Sequence, residues 1–119
     1  MASQLLTVEL LAGERAGWRL VGEIDISSRE RFDDVLALLT GDRCGTDGLI
    51  HLDLDQLTFI DLAGTRSLIR AAQRLYETAA GHLALHNPPY ALHRVAALLL
   101  DRLEIDGDGT LTLPVIIAP

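Results

Sequence analysis

Four side chains in two short segments carry donor atoms suited to metal chemistry. "LIHLDLD" (49–55) alternates apolar and polar positions, so Ile50, Leu52 and Leu54 face one way and His51, Asp53 and Asp55 the other. "HLALH" (82–86) does the same, with Leu83 and Leu85 inward and His82 and His86 on the polar side. If those two strands pair, His51, Asp53, His82 and His86 become neighbours, and imidazole with carboxylate is a zinc-binding set. A sheet face open to water must be polar in any case, and nothing around these four reads as an outer layer of supporting partners. The expectation is a solvated face, with no metal and no cofactor. "DGDG" (106–109) has the look of a calcium loop but lacks the closing Glu, so it reads as a turn.

Nucleophilic and nucleotide chemistry find no support. There is no G-x-S-x-G elbow, the single Cys44 lies in a Gly-containing loop without a dedicated base, and Ser67 falls inside a helical pattern. No P-loop and no G-x-G-x-x-G is present. No catalytic residue is expected.

The stretch with the most to explain is "FIDLAGTRSLI" (59–69), where an apolar run meets an acidic corner and a regular helical pattern begins. Asp61 could serve as a base, but the simpler role is helix N-cap, accepting backbone N–H groups from the next turn. After the corner, Thr65, Leu68, Ile69, Ala72, Leu75, Tyr76 and Ala79 form one stripe, and Arg66, Arg70, Gln73, Arg74 and Glu77 form the opposite face. Three arginines one turn apart repel weakly, by about 0.2–0.5 kcal/mol per adjacent pair. On an acidic protein they mark either a solvated face or a docking surface for an acidic partner.

Other elements must position this corner. "LLTVELLAGERAGWRLVGEI" gives two strands around a turn. "SSRERFDDVLALLT" is helical, with Phe32, Val35, Leu36 and Leu39 on one face and Ser27 with Glu30 as a capping box. Gly81 reads as the stop of the corner's helix. "NPPYALHRVAALLLDRL" opens with Asn87 as N-cap and buries Leu92, Val95, Ala96, Leu99 and Leu103. "LEI" (103–105) reads as a final strand and "TLTLPVIIAP" as an apolar tail, fit for an edge strand or for self-association. The order is β-β-α-β-α-β-α-β: an α/β fold with a mostly parallel mixed sheet, an antiparallel N-terminal hairpin and helices mainly on one face.

The chain has 119 residues, one domain's worth, of which 49% are hydrophobic and 23% charged. All ten basic residues are Arg, and the net charge of −7 disfavours nucleic acid and anionic membrane as partners. One cysteine forbids an intrachain disulfide, and the start "MASQLLTVELLAG" has no basic leader, so a reducing cytoplasm is expected. No apolar run reaches the roughly 18–20 residues needed to span a bilayer.

At "VGEIDISSRERF", "HLDLDQLTFIDLAGTRSLIRA" and "LALHNPPYALHRVAALLLDRLEIDG" the sequence resembles the STAS domain, the family of anti-sigma-factor antagonists and sulphate-transporter tails. The likeness covers about residues 17–106 of a single domain spanning 1–119, with 107–119 as the tail. It implies a non-enzymatic binding module with helices mainly on one side of its sheet. In the bacterial antagonists the corner reads Asp, a phosphorylatable Ser, Ser or Thr, then Gly, and a kinase-like anti-sigma factor binds it. Carried over, the Asp is Asp61 and the Gly is Gly64, while Leu62 stands at the phospho-acceptor position with Ala63 beside it. A phosphate would add about −1.5 to −2 charges to the corner, and Leu62 cannot accept one.

The resemblance implies a contact patch of Phe59, Asp61, Leu62, Ala63, Gly64, Thr65, Arg66 and Arg70, docking an anti-sigma factor or a kinase-like ATPase regulator without phosphorylation at the usual site. The alternative is a STAS scaffold or dimerising subunit of a signalling or lipid-transport assembly, a homodimer forming through the C-terminal tail.

Overall fold

Among the described residues, six strands form one mixed sheet, and three α-helices cover one of its faces. The computed structural model of the chain describes residues 5–40, 47–99 and 110–113. The expected hairpin is β1 (Thr7–Leu11) against β2 (Gly17–Ile24), antiparallel, with Glu9 opposite Arg19. β3 (Leu49–Asp53) runs parallel to β2, and β5 (His82–His86) runs parallel to β3 with Ile50 opposite Leu83 and Asp53 opposite His86. The main path is β1-β2-β3-β5-β6.

Alternation in the strands and the helical period meet in one core. Leu20, Ile24, Ile50, Leu52, Leu83 and Leu85 leave the sheet toward the helices and are almost wholly buried. α1 (Arg29–Ala37) adds Phe32, Val35 and Leu36, and Leu39 follows just beyond its end. α2 (Leu62–Ala79) adds Leu68, Ala71, Ala72 and Leu75, and α3 (Tyr90–Leu99) adds Leu92 and Ala96. Each fully buried Leu, Ile or Phe contributes about 1.5–3 kcal/mol, which makes this packing the main term holding the corner in place.

Two strands differ from the expected order. β4 (Leu57–Ile60) pairs with the end of β2, so the run into the corner is a separate strand rather than a continuation of β3. β6 (Leu111–Leu113) comes from the tail and pairs antiparallel with β5, burying Leu111 and Leu113. The start of the tail is therefore an edge strand of the chain's own sheet. The "LEI" strand, Leu103, "DGDG", Cys44 and residues 114–119 lie outside the described residues.

The helix ends also depart in detail. Instead of a Ser27–Glu30 box, Asp25 caps a single tight turn (Ile26–Ser28): its carboxylate accepts from Ser27 N–H at 2.9 Å, while the Ser28 hydroxyl accepts from Asp25 N–H at 3.0 Å. That turn delays α1 to Arg29. The left-handed residue ending α2 is Ala80 (φ 52°) rather than Gly81, because the chain reverses one residue earlier. Asn87 is left-handed as well (φ 53°) and caps nothing: the adjacent Pro88 and Pro89 hold the backbone out of the helix until Tyr90.

Candidate functional site

The corner is assembled from three segments. β4 is tied to β2 through the Thr58 hydroxyl, which donates to the Gly22 carbonyl at 3.0 Å, and through Asp61 N–H to the Ile24 carbonyl at 3.0 Å. Asp61 then caps α2 as expected, its Oδ1 accepting from Gly64 N–H at 2.7 Å. The third segment is the turn after β2. Ser28, buried, donates its hydroxyl to the Glu23 carbonyl at 2.8 Å and so aims Arg29 across the gap at Asp61. Arg29 Nη2 lies within hydrogen-bond distance of both Asp61 oxygens, while its Nε is buried with no partner among the described residues.

Gly64 is where backbone and core touch. A Cβ there would come within 2.8 Å of Ile24 Cγ2 and 3.0 Å of Ile60 Cγ1 and Asp61 Oδ1. Only hydrogen fits, so the first turn of α2 lies directly on the ends of β2 and β4. Thr65 is completely buried and donates its hydroxyl to the Asp61 carbonyl at 3.1 Å.

The expected contact patch therefore splits. Phe59 and Leu62 present large apolar surfaces, 44% and 49% exposed, and Ala63, Arg66 and Arg70 are exposed beside them. Gly64 and Thr65 are buried, because the close approach of α2 to the sheet encloses both. Asp61 is half-buried, and its carboxylate serves the cap and Arg29. Leu62 is at the tip, where a side chain reaches outward.

The polar strand faces need a correction too. His51 is buried, not solvated, and it contacts His86 directly, Nδ1 to Nε2 at 2.8 Å. Asp53 turns to Arg19 at 3.1 Å, and His82 meets the Tyr76 ring edge-on with centroids 5.2 Å apart. Among the described residues no group of three or more His, Cys, Asp or Glu side chains could hold a metal ion. Sequence reading missed Arg29, Ser28 and Asp47 as site builders. The one signal for Arg29 was its place on the first turn after "GEID", level with the next strand's acidic end.

A mixed sheet helix-covered on one face, with a capped strand-to-helix corner at its rim, is the arrangement of the STAS domain. The chain belongs to that family: the family model described as "Mlab, STAS domain" matches residues 9–105. Among solved structures the chain is similar to the anti-sigma factor antagonist SpoIIAA in its unphosphorylated form, at a TM-score of 0.57 and 22% identity, over 78% of this chain and 82% of that one. That likeness concerns the fold. No curated protein matches the sequence. No helix among the described residues is long and apolar enough to cross a membrane.

Proposed function

We propose that the chain is a non-enzymatic, cytoplasmic protein-interaction module of the anti-sigma-factor-antagonist type. Its corner docks an anti-sigma factor or kinase-like ATPase regulator. The observation that carries this reading is the exposure of Leu62 and Phe59 on a corner whose backbone is fixed by the Asp61 cap, by Arg29 and by Gly64. A rigid apolar tip presented to water loses little freedom on binding, and Leu62 offers about 1.5–3 kcal/mol if a partner buries it. Without a hydroxyl at this position the docked state has no covalent release at the usual place.

The test is a pull-down against the kinase-like anti-sigma proteins of the source organism, using wild type and Leu62→Asp. Wild type should retain one of them and Leu62→Asp should not. Binding by none, or undiminished binding by the variant, overturns the reading. The matched family model is described as a STAS domain and not as an antagonist. That favours keeping the scaffold-subunit reading as the second, with light scattering on the full chain to measure self-association.

A further inference from the structure

Beyond the tip, α2 carries a row of unneutralised charge. Arg66, Arg70 and Arg74 follow Leu62 at successive intervals of four residues, about 6 Å each along the helix axis, and all three are exposed. Arg19 and Arg29, by contrast, are held by carboxylates: Arg19 by Glu9 and Asp53, Arg29 by Asp61. None of the three on α2 makes an ion pair among the described residues, and the helix has no acidic residue before Glu77. On a chain with 17 acidic and 10 basic residues, a helix face left cationic is a local reversal of sign.

The far end of this row borders a groove. Between α1 and α2 lies a cavity of about 220 Å³ lined by Asp33, Leu36, Ala37, Ser67, Arg70 and Arg74. Leu36 and Ala37 supply apolar surface and Ser67 a small polar side chain, with the two arginines on the α2 side and Asp33 on the α1 side. Both walls are helices, whose backbone N–H and C=O groups are spent within them. A segment lying here finds no strand edge to pair with and must satisfy its own backbone, which a helix does and an extended chain does not. Charge sets which helix fits. Laid along α2, it repeats at the same pitch, so carboxylates at every fourth residue meet the arginines in step. On the side of Asp33 it must be neutral or basic.

We propose that the α1–α2 groove takes an acidic amphipathic α-helix of the docking partner, an assignment that rests on the docking role of the corner. Its Asp or Glu residues meet Arg66, Arg70 and Arg74, while Phe59 and Leu62 anchor the end of the contact at the tip. Attraction between exposed opposite charges adds modest affinity and mainly speeds encounter. Nucleic acid and anionic membrane also offer negative charge to three arginines. Glu30, Asp33 and Asp34, exposed on neighbouring α1, set like charge against any continuous phosphate surface. A single acidic stripe on a helix avoids that repulsion.

The probe is an alanine-based helical peptide of about 20 residues with Glu at three positions four apart and Gln for solubility elsewhere. Its twin carries Lys at the same three positions. In amide NMR spectra of the full chain, the Glu peptide should give saturable shifts at residues 66–74 of α2 and at Asp33 and Ala37 of α1, and the Lys peptide should give none. Affinity should fall about fivefold as salt rises from about 0.05 M to about 0.3 M, a measurement that needs no variant. Arg70→Gln with Arg74→Gln should weaken binding about fivefold, with helix content by circular dichroism unchanged because both side chains are exposed. No saturable shift at millimolar Glu peptide, shifts on other elements, or salt-independent binding overturns the proposal. So does equal binding of the Lys peptide, of a single-stranded DNA oligomer or of phosphatidylglycerol vesicles. In the pull-down, retention that requires Leu62 but ignores Arg70 and Arg74 defeats the groove alone and leaves the corner's docking intact. Retention of no anti-sigma protein defeats the docking, while the peptide titration decides the groove by itself.

Discussion

Nη2 of Arg29 lies 3.0 and 2.9 Å from the two carboxylate oxygens of Asp61, joining α1 to the first turn of α2 across 32 residues of sequence. The same carboxylate caps α2, so one side chain fixes both the start of a helix and its position against a neighbour. Asp61→Ala should cost about 1–2 kcal/mol, a cap plus a partly exposed ion pair. Asp61→Asn keeps an acceptor for Gly64 N–H and should cost less. Urea midpoints of the two variants check this, and an unchanged midpoint for Asp61→Ala would refute it.

Gly64→Ala sets two effects against each other. At an exposed helix position the exchange stabilises by about 1 kcal/mol. Here the new methyl meets Ile24 and Ile60 side chains at 2.8 and 3.0 Å, and overpacking of a filled core costs about 1–3 kcal/mol. Since both neighbours belong to strands that cannot retreat, the variant should be net destabilised and its corner displaced. A gain in thermal midpoint would show that the first turn has slack.

Installing a hydroxyl tests the proposal that the corner lacks a phosphorylation switch because Leu62 stands at its tip. Leu62→Ser, incubated with ATP and a cognate kinase-type partner, should gain one phosphate by intact mass, whereas wild type should gain none. Thr65 offers no substitute, being wholly buried with its hydroxyl committed to Asp61. A phosphate on wild-type Thr65 would contradict the geometry.

Removing the tail should damage the sheet rather than merely shorten the chain. A protein ending at Asp108 lacks Leu111 and Leu113, both almost fully buried, and should lose about 3–6 kcal/mol. It also bares the edge of β5, so light scattering should show larger particles than the full chain gives. A stable, monodisperse truncation would mean β6 is dispensable.

Acid should unfold the protein through its aspartates. The Ser27 hydroxyl and amide pull Asp25 below its ordinary 3.8, and the Leu49 amide with His51 does the same for Asp47. Asp53 is raised by burial, but the Asp55 amide and Arg19 outweigh that and leave it lowered. Depressed carboxylates contribute stability that is complete above the unfolded value and lost as pH falls through the folded ones. Denaturant midpoints should therefore hold above about pH 4 and drop below it. Asp25→Asn with Asp53→Asn should flatten that limb.

What was legible in the sequence followed from period. The alternation in "LIHLDLD" and "HLALH" and the stripe from Thr65 to Leu75 state burial directly, and the Asp61 cap follows from local spacing. What stayed hidden depends on contacts between distant segments. Nothing near Arg29 says that its partner lies 32 residues away, and nothing in "TLTLP" says that it lies beside β5. His51 looked solvated because alternation assigns a face, not the depth of cover on that face. The burial of Gly64 stayed hidden because a motif gives order along the chain, not how closely a helix is pressed to a sheet.

β2 pairs with β3 through residues 17–19 and with β4 through residues 22–24, and the register with β4 shifts between Gly22 and Glu23. The strand leading to Leu62 is thus paired with β2 off the main path of the sheet, while Leu57 and Ile60 anchor it in the core. Anyone wishing to re-aim that tip must work through Ile24, Leu57 and Ile60, so a change of direction there is also a change of packing.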